Sequence, residues 1–81
     1  MKRYHIYYEK YNIFGNRHRK QIMIVHTNDI YHEIGKLICT SLENIKNITY
    51  TEQKSSVEEV ENYWIENGYR KITKNIWVKN D

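Results

Sequence analysis

The side chains with most to offer a reaction are His5, His18, His26, His32, Cys39 and the carboxylates around them. His26 and His32 bracket a short stretch that also holds Asp29 and Glu33, so a zinc site can be drawn there on paper. Their spacing matches no metal motif, and Cys39 falls about two helical turns further on. A general acid–base pair for RNA cleavage, built from His18 or His26 with a lysine, has no supporting pattern either. A single cysteine excludes an internal disulfide and a thiolate cage. At the border of an apolar stripe, Cys39 reads as a small buried apolar residue. The expectation is a protein that is not an enzyme and uses no cofactor or metal.

Binding chemistry is better represented. The stretch NIFGNRHRK, Asn12 to Lys20, places Arg17, His18, Arg19 and Lys20 side by side. Cations this close can hold one or two phosphates, or an acidic protein patch. They also suit a hairpin tip, where basic residues keep the protein in solution and block edge pairing. Tyr4 to Tyr11 (YHIYYEKY) is unusually aromatic, and flat rings next to cations are what unpaired bases stack on. No strand carries the RNA-recognition consensus of Lys/Arg-Gly-aromatic.

These residues must be positioned by local structure. Tyr4–Tyr11 and Arg19–Thr27 alternate with period two and read as strands. Between them Gly15-Asn16 accepts the positive φ that a hairpin loop needs. Thr27, Asn28 and Asp29 offer helix caps. Ile30, Ile34, Leu37, Ile38, Leu42 and Ile45 then recur at helical spacing, which predicts a helix ending near 44–47, with Gly35 letting it approach the sheet closely. Ile48–Glu52 reads as a short strand. Ser56-Val57-Glu58-Glu59 has the form of a capping box opening a second helix, with Val57, Val60 and Trp64 on its stripe and Asn67-Gly68 at its end. The tail from Tyr69 is extended: either one strand, or a hairpin turning at 73–75, with a hairpin or bent strand preferred.

The predicted order is β-β-α-β-α-β in a single domain, residues 1–81. The expected fold is α+β: a two-layer sandwich with a mixed sheet of about four strands, right-handed crossovers, and two helices on one face. That packing leaves the other face bare. Tyr4, Ile6, Tyr8, Ile22, Ile24, Ile48, Tyr50, Ile76 and Val78 would point inward. His5, Tyr7, Tyr11, Met23, Val25, Thr49, Thr51 and Trp77 would point outward, giving an apolar patch of the kind that marks a binding surface.

Length and charge bound the function. A chain of 81 residues has room for one sheet and two helices, with a modest core. Its formal net charge is +3. Residues 1–28 and 67–81 are basic, whereas 52–66, with five glutamates against Lys54, are acidic. The sequence has no proline and no alanine and is heavy in Ile, Asn, Lys and Tyr, as AT-rich coding in a low-GC bacterium, its phages or its plasmids produces. No apolar run is long enough for a signal peptide or a membrane span, so a reducing cytoplasm is expected, with no membrane partner. The reading is a small binding protein, inhibitor- or accessory-type and phage- or plasmid-encoded. It docks on a protein or nucleoprotein target through the aromatic sheet face and the basic hairpin. Tyr7, Tyr11, Arg17, His18, Arg19, Lys20, Met23 and Trp77 form its surface. A homodimer through the sheet is a further option. A single-stranded nucleic-acid or RNA-binding module is the alternative, and a small ribonuclease a distant third.

Overall fold

The computed structural model describes residues 1–12, 15–40 and 44–79, with side chains for all of these but 12 and 15–17. Among the described residues five strands and two helices follow in the order β1 (Lys2–Asn12), β2 (Gly15–Thr27), α1 (Ile30–Thr40), β3 (Asn44–Gln53), α2 (Val57–Glu66), β4 (Tyr69–Thr73) and β5 (Ile76–Lys79). The sheet is antiparallel throughout, with spatial order β3-β1-β2-β5-β4. The α+β class stands, but the expected four-stranded mixed sheet does not. β2, β3 and β4 run in the same direction without ever being neighbours. β1 is long enough to pair along both its edges and fills the slot between β2 and β3. The tail takes the hairpin alternative, with Thr73 opposite Ile76.

The expectation of two helices on one face is also overturned. Strand side chains alternate between faces, so the register shows which residues share a side. His5 lies opposite Ile24 and Tyr7 opposite Ile22, while Ile6 lies opposite Met23. Ile22, Ile24 and Trp77 form one core with Trp64, flanked by Val57 and Val60 of α2. Ile6 and Tyr8 form a second core with Ile30, flanked by Met23, Val25, Ile48 and, from α1, Ile34 and Leu37. The helices therefore cover opposite faces. The physical reason lies in the crossovers. β2-α1-β3 travels across the sheet in one direction and β3-α2-β4 travels back, and crossovers of one hand that reverse direction must pass over opposite faces.

Local chemistry sets the element ends. Asp29 caps α1, its Oδ1 accepting the His32 N–H at 3.2 Å. The described part of α1 runs to Thr40, whose hydroxyl donates back to the Lys36 carbonyl at 2.7 Å. The predicted continuation to 44–47 is wrong: Ile45 lies in β3, opposite Lys10, and Leu42 is outside the described residues. Ser56 stands at the N-cap of α2 but makes no side-chain cap bond, so the capping box is not formed. The other end behaves as its sequence predicts. Gly68 adopts φ 89° and donates to the Ile65 carbonyl at 3.1 Å, as a left-handed helix stop does.

Candidate functional site

With both faces helix-covered in part, the bare apolar sheet face does not exist. Trp77 is 3% exposed and packs on Trp64 with ring centroids 5.3 Å apart. Met23 is half-buried beside Ile6 and Ile30 under α1. His5 is fully buried, edge-on to Trp64 at 5.0 Å. Cys39, expected in the core, is exposed. His26 and His32 are exposed as well, and among the described residues no three of His, Cys, Asp and Glu gather as a metal-ligand set.

A different surface forms where β1, β2 and β3 continue past α2. β1 and β2 remain paired out to Tyr11 and His18, and on β1's other edge β3 begins opposite Tyr11 at Asn44. Glu9 lies opposite Lys20 on one side and Lys46 on the other, so Tyr7, Glu9, Tyr11, His18, Lys20 and Lys46 share one side. A register shift between Tyr7 and Glu9, at the bulge where Asn47 adopts φ 55°, turns Lys46 onto this side.

The geometry within the group is specific. The Tyr11 and His18 rings are nearly parallel, 15° apart with centroids at 5.8 Å. The Lys46 Nζ lies 5.3 Å from the Tyr11 ring centre. Glu9 Oε2 accepts a hydrogen bond from the Asn47 amide. That bond, first of all, lowers the Glu9 pKa, and Lys46, Lys20 and His18 reinforce it. Next to Glu9, a cavity of about 270 Å³ is lined by Tyr7, Tyr8, Glu9, Lys20, Gln21, Asn47 and Tyr69. Burial raises the Tyr69 pKa, with Tyr7, Glu9 and Tyr63 contributing, so its phenol keeps its proton. Lys79 Nζ stands 5.9 Å from the Tyr69 ring. The Gln21 side chain is committed to the opposite face, its Oε1 accepting from the Tyr8 hydroxyl at 2.9 Å.

Of the eight residues that the sequence nominated, the structure brings Tyr7, Tyr11, His18 and Lys20 together. Arg19 pairs with Lys10 on the other side of the sheet. The Arg17 side chain lies outside the described residues. Sequence reasoning missed Glu9, Lys46, Asn47, Tyr69 and Lys79. A strand read from Asn44 instead of Ile48 would have put Lys46 opposite β1. Nothing in the sequence signals that Tyr69, at the start of β4, leans toward Tyr7.

Such a surface offers rings for stacking, ammonium groups for phosphate and one ionised carboxylate. No family model, curated protein or solved structure matches the chain. Among the described residues no helix is long and apolar enough to cross a membrane.

Proposed function

We propose that this protein is a small non-catalytic binding module whose partner is single-stranded nucleic acid, free or displayed by a nucleoprotein. The observation that carries the reading is the near-parallel Tyr11–His18 pair with Lys46 above Tyr11 and Lys20 beside it, all on the side of the sheet that α2 covers in part. Ring faces accept bases of any sequence, and the lysines supply the phosphate attraction that dominates affinity. Of the three sequence-derived readings this is the second. The first rested on a bare aromatic sheet face, and Trp77 and Met23 are withdrawn from it.

Docking on a protein keeps one observation in its favour: Tyr31 and Ile38 on α1 are exposed, and the Tyr31 hydroxyl hydrogen-bonds that of Tyr50 at 2.9 Å. Fluorescence anisotropy with short labelled RNA and DNA single strands separates the two. The wild type should bind at low salt, and Tyr11→Ala should weaken binding roughly tenfold, since one base–aromatic stack is worth about 1–3 kcal/mol. Lys46→Glu should also weaken it, whereas Tyr31→Ala should not. Thermal melts confirm that each variant folds. A wild type that retains no single strand at low salt overturns the reading.

A further inference from the structure

We infer that the cavity beside Glu9 is a base-reading pocket selective for guanine, so that the bound strand is held preferentially where a guanine can be splayed out. This deepens the reading above and rests on it: stacking and phosphate contacts give affinity but no choice of base, and the cavity supplies the choice.

The argument begins with what lines the cavity. Tyr7 and Tyr69 provide aromatic wall, Lys20 and Asn47 provide donors, and Glu9 is its carboxylate. A volume of about 270 Å³ lies below the range typical of drug-sized ligands and is of the size of a single planar base. Glu9, which lines the cavity, lies two residues along β1 from Tyr11 and opposite both Lys20 and Lys46, so a strand stacked on Tyr11 runs beside the cavity.

The Glu9 carboxylate selects by what it can accept. Asn47 uses Oε2, which leaves Oε1 and further lone pairs for a ligand. Ionised, the group is acceptor-only and wants two donors side by side. On the Watson–Crick edge, guanine alone offers them, N1–H next to the 2-amino group. Adenine and cytosine present one amino group beside a ring-nitrogen acceptor. Uracil and thymine present one N–H between two carbonyl oxygens. Each of these sets an acceptor against the second carboxylate oxygen, leaving a desolvated polar group unpaired. The guanine O6 acceptor next to N1–H is complemented by Lys20, which lines the same cavity. The Asn47 bond first, and then Lys46 and Lys20, favour the ionised form of Glu9. Splayed bases read on this edge are the usual route to sequence preference in single strands.

The experiment measures the wild type against an all-uridine strand, the same strand with one central guanosine, and versions with adenosine, cytidine or inosine there. Guanosine should tighten binding at least fivefold, and inosine, which lacks the 2-amino group, should lose most of that gain. Glu9→Gln keeps an amide oxygen for Asn47 and should bring the guanosine-to-uridine affinity ratio to about one. A wild type that binds all strands equally, or a Glu9→Gln variant that keeps the preference, overturns the guanine pocket and leaves the binding module standing. A wild type that binds none of them overturns both.

Discussion

At the scale of single residues, His5 separates what the sequence can say from what it cannot. Its position in an alternating aromatic strand marks it as facing away from Ile6, and the register agrees. Which of the two faces is covered is another matter, because here both are. His5 ends up fully buried against Trp64, and neither ring nitrogen has a hydrogen-bond partner among the described residues. Burial, with smaller contributions from Arg3 and His26, lowers its pKa from 6.5 to about 4. The unfolded chain then takes up a proton that the folded chain refuses. Stability attributable to His5 is complete above pH 6.5, falls as the pH drops toward 4, and is flat below that. The loss should reach about 3 kcal/mol. His5→Phe fills a similar volume with nothing to protonate. Urea titrations at pH 7 and pH 4.5 should show the wild type losing distinctly more stability than the variant. Equal losses would mean that His5 gains a proton as readily folded as unfolded. The same parity explains Met23 and Ile22. A hairpin whose partners satisfy the Ile6–Met23 pairing puts Met23 with Ile6. A register displaced by one residue, as the sequence reading assumed, exchanges the two β2 faces.

At the scale of elements, ends with a chemical signature were legible and ends without one were not. Asp29 and Gly68 act as their residue types suggest, through a side-chain acceptor and a positive φ. Among the described residues α1 shows no such mark at its far end, and Ile45 continues the helical spacing by coincidence while serving β3. That error hid Lys46 and Asn47, half of what surrounds Glu9. The tail hairpin was legible as an alternative because its turn lies in Thr73-Lys74-Asn75, where the Asn75 N–H donates to the Thr73 hydroxyl at 3.3 Å. Gly35 was read as a point of close approach between helix and sheet. A Cβ built there meets nothing within 4 Å, so no packing demands glycine at this position. Gly35→Ala should therefore stabilise the protein by about 0.5–1 kcal/mol through helix propensity alone, seen as a higher melting temperature. A lower one would show that glycine's freedom, or space outside the helix, is in use.

At the scale of the whole molecule, the order of strands arranges charge as well as core. α2 crosses the sheet on the side that also carries the Tyr11–His18 pair, so its glutamates and the basic strand extension share one side. Glu61 of α2 meets Lys71 at 3.9 Å, which engages the acidic helix with the nearer cation of β4. Lys20, Lys46 and Lys79 lie further along, around Glu9, Tyr11 and Tyr69. On the proposed reading, a polyanion on this side would be repelled at the helix and attracted at the extension, although the net charge is only +3. None of this was legible from the totals, because the basic and acidic segments of the chain meet only through the antiparallel order. If those lysines each neutralise one phosphate, the logarithm of affinity for a single strand should fall with the logarithm of salt at a slope of about −2. Lys46→Ala should make the slope shallower by about 0.7, since one fewer counterion is released, whereas Lys54→Ala, whose side chain belongs to the acidic segment, should leave it alone. An unchanged slope for Lys46→Ala would detach that lysine from the phosphates and leave it only the Tyr11 ring.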